Sequence, residues 1–139
     1  MAHAFTVGQV AAMTGIAAKT IRYYEEIGVL PLPGRTAAGY RQYAQPDVDR
    51  IRFVGRARAL GLPLERLRLL AAALHAGATI RPKLRRLVHE QLIVVQREIG
   101  ELELLRQELE RVSERMRRTN RRHHRGACRC LDTDAPTQS

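Results

Sequence analysis

"KTIRYYEEIGVL", residues Lys19 to Leu30, sets one lysine, one arginine and two tyrosines beside apolar positions and follows them with two acids. Read as a helix closed by Gly28, it turns Ile21 and Ile27 toward a core and leaves Lys19, Thr20, Arg22, Tyr23 and Tyr24 mostly on the other faces. Adjacent helix positions diverge by about 100°, so one of the two tyrosine rings is expected in the core and the other outside it. Whether the outer face is ordinary solvated surface or a phosphate-seeking one depends on what flanks it.

Upstream, Thr6-Val7-Gly8-Gln9 has the spacing of a capping box, which opens a short helix through Met13, and Val10 and Ile16 are expected to face the core between the helices. Thr14-Gly15 stops that helix, and the second starts near Ala17. Two short helices joined by a glycine-containing turn predict a helix-turn-helix. Downstream, "LPLPGRTAAGYRQY" (Leu30 to Tyr43) holds two prolines and two glycines that forbid a helix, while Tyr40 and Tyr43 favour extended structure. A hairpin or wing is expected, with Arg35 and Arg41 carrying no nearby acid. Pro46 and Asp47 open a third helix, with Val48, Ile51, Phe53 and Val54 as core positions, and Pro63 opens a fourth with Leu64, Leu67, Leu70, Ala71 and Leu74 as a buried face.

From Lys83 to about Asn120 the chain contains no proline and one glycine, Gly100. Apolar residues recur there in steps of three and four, at Val88, Leu92, Val95, Ile99, Leu102, Leu105, Leu109, Val112 and Met116. A single long helix cannot bury such a stripe against itself, so a dimer, antiparallel or parallel, is expected.

Charge points to the partner. The 139 residues carry 24 Lys+Arg against 14 Asp+Glu, a formal net charge of +10, which favours a polyanion. Eight basic side chains lie within residues 1–60, and seven arginines with no acid lie within residues 115–129. The longest apolar run is too short to span a bilayer, and no basic stretch precedes an apolar one at the N-terminus, so a cytoplasmic protein without a membrane partner is expected. No nucleophile, base and orienting group occur together and no phosphate-binding glycine loop is present, so no enzyme activity is expected.

A helix-turn-helix, a basic wing and a dimerisation helix together describe a two-fold reader of double-stranded DNA. "FTVGQVAAMTGIAAKTIRYYEEIGVL" followed by "GYRQY" resembles the MerR family of transcriptional regulators, and the resemblance covers residues 4 to about 118. It implies a mainly α fold: a winged helix-turn-helix DNA-binding domain over residues 1–76, an antiparallel coiled-coil dimerisation helix over 81–120, and an effector tail over 121–139. It also implies the family mechanism, in which the homodimer sits on promoter DNA and distorts the spacer until RNA polymerase engages both promoter elements. Arg22, Tyr23, Arg35, Tyr40 and Arg41 match the family's DNA-contact positions; Lys19, Thr20 and Tyr24 join them by chemistry and location.

The tail, "RRTNRRHHRGACRCLDTDAP", contains His123, His124, Cys128 and Cys130. The two cysteines are poorly spaced for a structural disulfide. As thiolates, with the imidazoles, they suit a soft or borderline metal ion such as Cu(I), Zn(II), Cd(II) or Hg(II). "ACRCLDTDAP" also resembles the four-cysteine iron-sulfur tail of the redox-sensing SoxR branch, but Arg125 and Ala135 stand near where further cysteines would be, and two thiolates are too few for that cluster. A metal effector, a redox or small-molecule effector, and a charged tail with two incidental thiols all remain open. A non-specific basic nucleic-acid-binding protein driven by the arginine tail is the rival to an operator reader.

Overall fold

The computed structural model describes residues 4–119, and these form five helices and one small hairpin. Helix α1 (Val7–Thr14) begins as its capping box predicts. The Thr6 hydroxyl accepts from the Gln9 amide at 3.2 Å, and the Gln9 side chain accepts from the Thr6 amide at 2.9 Å. Such a cap stabilises a helix start by about 1 kcal/mol. Gly15 ends α1 at φ 72°, the left-handed region that a side chain resists, and its amide donates back to the Ala11 carbonyl. The chain then re-enters helix as α2 (Ala18–Glu26).

The wing is short: β1 (Gly34–Arg35) pairs antiparallel with β2 (Arg41–Gln42), in the register Gly34 with Gln42 and Arg35 with Arg41. One residue beyond β2, Tyr43 exchanges both backbone hydrogen bonds with Phe5, which ties the start of the domain to the base of the wing. Helix α3 (Gln45–Ala59) starts where Pro46 tolerates a missing amide and the Asp47 carboxylate accepts from the Ala44 amide at 2.8 Å. Helix α4 (Leu64–His75) follows Pro63, and α5 runs over Arg81–Thr119 with Gly100 inside it.

Two compact units divide inside α5, between Leu92 and Ile93. The sequence placed its divisions earlier, at residues 76 and 81. The first turns of α5 belong with the first unit because Leu84 and Leu87 pack with Ile80 on its core. That core gathers Val10 and Ile21 from the two short helices, Val29, Leu30 and Tyr43 from the wing's ends, Val48, Ile51 and Val54 from α3, and Leu67 and Leu70 from α4. Helix α3 passes close to Ile16: a Cβ on Gly55 would stand 2.6 Å from Ile16 Cδ1, so a side chain there would make the end of Ile16 shift.

The predicted core faces hold with two corrections. Phe53 is exposed because it sits about 200° around α3 from Ile51, and Leu74 is exposed near the end of α4. Both line an open apolar groove with Leu30, Pro31, Leu70 and Ile80.

The second unit, from Ile93 on, is described only by the helix itself. Its stripe residues Val95, Ile99, Leu102, Leu105, Leu109 and Met116 are exposed in the single chain, whereas Val112 is buried. No helix among the described residues is long and apolar enough to cross a membrane.

Candidate nucleic-acid interface

Helix α2 sorts its side chains as an amphipathic helix must. Ile21, Tyr24 and Glu25 point inward, while Lys19, Arg22 and Tyr23 point out and Thr20 is half-buried. The two neighbouring tyrosines divide as expected, Tyr24 at 9% exposure and Tyr23 at 49%. Their rings still meet, with centroids 6.1 Å apart and planes tilted by 44°. Tyr24 is therefore a core residue and drops out of the predicted contact set. Its backbone carbonyl also accepts from the amides of Val29 and Leu30, fixing the chain as it leaves the helix.

The outward cations are not used up internally. Among the described residues neither Lys19 nor Arg22 forms an ion pair. On the wing, Arg35 is exposed and its Nη1 donates to the Gly39 carbonyl at 2.7 Å, which holds the guanidinium against the turn. Tyr40 stands at the end of that turn at 74% exposure. Its amide donates to the Thr36 hydroxyl at 3.2 Å, and its carbonyl accepts from the Thr36 amide at 2.8 Å.

Arg41 corrects the expectation that the wing arginines have no acid near them. Its Nε donates to Glu25 Oε2 at 3.0 Å, and the Glu25 side chain is 1% exposed. The other oxygen, Oε1, accepts from the Tyr43 hydroxyl at 2.6 Å. Burial pushes the Tyr43 hydroxyl well above its ordinary pKa; the hydrogen bond to Glu25 and that carboxylate's charge push it further, against smaller opposing contributions from Arg41 and Arg22. The phenol therefore remains a donor. Glu25 was missed in the sequence because an acid following basic residues on a helix reads as solvated surface. The only available signal was its partners, sixteen and eighteen residues on.

Lys19, Arg22, Tyr23, Arg35 and Tyr40 are thus exposed donors and rings, and Thr20 and Arg41 are half-buried. Such groups can donate to phosphate oxygens or to base edges. The four tail candidates, His123, His124, Cys128 and Cys130, lie outside the described residues. Among the described residues no group of three or more His, Cys, Asp or Glu could hold a metal ion.

The family model for the MerR HTH family regulatory protein matches residues 5–74, and a second, described as MerR, DNA binding, matches residues 48–112. The HTH-type transcriptional regulator HmrR of Rhizobium leguminosarum bv. viciae is 38% identical over 104 residues, covering 75% of this chain and 80% of that protein. The crystal structure of PbrR691 from Ralstonia metallidurans CH34 in complex with lead(II) covers 92% of this chain and 97% of its own, with a TM-score of 0.71 at 24% identity. HiNmlR, a MerR family regulator lacking the sensor domain and bound to promoter DNA, covers 86% and 94%, with a TM-score of 0.59 at 24% identity. At that identity the two structures speak to the fold. With the family models and HmrR they lead to one conclusion: the chain belongs to the MerR family of DNA-binding transcription regulators.

Proposed function

We propose that the chain acts as a homodimer on two-fold promoter DNA, joined through the apolar stripe of α5. In each copy α2 enters a major groove, where Arg22 has the reach and fork geometry for a guanine edge and Lys19, Thr20 and Tyr23 serve phosphates or neighbouring edges. Arg35, Tyr40 and Arg41 on the wing hold the adjoining backbone. The dimer then distorts the promoter spacer so that RNA polymerase engages both promoter elements. The observation that carries this reading is the set of exposed cations on α2, without ion pairs among the described residues, together with the exposed side chains of the wing.

The effector we infer is a soft or borderline metal ion held by the tail. Cys128 and Cys130 supply two thiolates and His123 and His124 two imidazoles, a donor set suited to Cu(I), Zn(II), Cd(II) or Hg(II). The lead(II) complex of PbrR691 supports a metal of this kind. Bound metal would contribute cross-linking of these ligands, and the signal would be the resulting change at the promoter.

One experiment tests both halves. A two-fold operator is selected from a random duplex pool with the reduced, full-length protein, and transcription is then measured as each metal is titrated. Wild type should bind the operator and activate with metal. The Cys128→Ser, Cys130→Ser double variant should bind the operator equally but no longer respond. Activation that survives loss of both thiols would remove the metal site from the tail, and failure to select any two-fold site would remove the operator reading.

A further inference from the structure

The Glu25 carboxylate is an unexpected group to find here. It is buried, it carries charge, and it sits behind a surface that reads a polyanion. Burying a carboxylate costs several kcal/mol unless it is fully compensated, so its partners should reveal why it is retained. Both oxygens are engaged, one by the Tyr43 hydroxyl and one by Arg41 Nε. Tyr43 lies at the base of the wing and Arg41 on its second strand, while Glu25 belongs to α2. A single carboxylate therefore joins the groove helix to the wing at two points.

The wing register adds a second observation. Arg35 and Arg41 are direct partners across the two strands, so their side chains leave the same face. Like charges directly opposite each other destabilise a hairpin. The pair is held apart: Arg35 is drawn to the Gly39 carbonyl and Arg41 to Glu25. Arg41 is held through Nε, and among the described residues its two terminal Nη groups have no acceptor. An arginine gripped at Nε presents a fixed fork outward, which suits a phosphate.

We propose that Glu25 is a positioning residue for DNA recognition: it fixes the spacing between α2 and the wing and aims the Arg41 fork at the DNA backbone. This rests on the DNA-contact reading above. It also opposes the simplest electrostatic expectation, under which removing an acid near a DNA-binding surface strengthens binding.

The test uses the full-length protein with its selected two-fold operator and a scrambled duplex of equal length and composition, over a potassium chloride series. Glu25→Gln should lower the operator-to-scrambled affinity ratio by roughly tenfold, the scale of one lost charge-assisted contact, while scrambled-duplex binding holds or rises. Arg41→Ala should weaken operator binding, and the double variant should lose less than the sum of the two single losses, because part of the Glu25 effect runs through Arg41. Arg41→Lys keeps the charge but cannot grip Glu25 and phosphate together, so it should resemble Arg41→Ala rather than wild type.

Circular dichroism melting shows whether each variant folds; should Glu25→Gln fail to fold, Arg41→Lys, which leaves the buried carboxylate in place, decides. An unchanged or improved ratio in a folded Glu25→Gln protein overturns the proposal. So does an additive double variant, or an Arg41→Lys protein indistinguishable from wild type. Wild-type operator binding by Arg41→Ala would instead remove Arg41 from the contact surface, a separate failure of the underlying reading.

Discussion

Residues 4–92 and the remainder of α5, residues 93–119, solve opposite halves of the same problem. The first unit closes most of its apolar faces into a core and, among the described residues, leaves Lys19 and Arg22 without ion pairs. In the second, five of the six arginines pair with glutamates on their own helix, while the apolar stripe stays open. Open charge calls for a charged partner, and open apolar surface calls for an apolar one. The contrast supports the proposal that DNA is the partner of the first region and a second copy of the chain that of the other.

The harshest challenge to that division is an acid in the stripe. Leu102 is 64% exposed in the single chain, so Leu102→Asp should leave the first unit's fold intact. In a dimer seam it would bury an uncompensated charge, at a cost of ~3–5 kcal/mol for each copy. Sedimentation should show a monomer, and operator binding should be lost with it. An intact dimer would mean that the open stripe is not the dimer contact.

Inside the first unit the same kind of side chain should behave in the opposite way. Ile51 is 2% exposed, and Ile51→Ala should destabilise the unit by ~2–5 kcal/mol through lost burial and the cavity left behind. Denaturant unfolding would read this directly. A loss under ~0.5 kcal/mol, the usual range for surface changes, would mean that the core is not closed around α3.

These two positions also show what could be read from the sequence. Periodicity placed Ile51 and Leu102 on apolar faces equally well, because spacing reports a face and not what covers it. The caps, turns and breaks were legible for the same local reason: Thr6 and Gln9, Gly15, and Pro46 with Asp47 act within a few residues of themselves. Phe53 and Leu74 were misassigned as core because an apolar side chain beside a groove looks the same in sequence as one inside the core. Of the site, the outward cations were legible from charge and motif. The Glu25 link was not, since it depends on residues sixteen and eighteen positions away meeting in space.

The open cations of α2 give the next prediction. Arg22→Ala should weaken operator binding by ~1–3 kcal/mol and relax preference at the base it reads. Fold stability should barely move, since Arg22 is exposed. A titration at several salt concentrations separates the two kinds of contact: a lost phosphate contact weakens all sequences alike, whereas a lost base contact affects the operator most. Wild-type affinity would leave α2 with a solvated face and no groove role.

The smallest effect is expected where charge is already paired. Glu114 accepts from both Arg117 and Arg118 on α5, and its side chain is 44% exposed. Exposed pairs at these spacings gain little, because water screens them and holding two long side chains in one geometry costs entropy. Glu114→Gln should therefore change stability by less than ~1 kcal/mol, and the change should shrink further in high salt. Operator affinity should rise slightly or stay level, since the substitution removes one negative charge far along the sequence from α2. The useful contrast is with Arg22→Ala, which alters one exposed charge just as Glu114→Gln does but should act on DNA binding instead of stability. If Glu114→Gln instead cost several kcal/mol, the pairs on α5 would have to work as a cooperative network or as part of the dimer seam. The division between closed and open charge would then fail at its closed end.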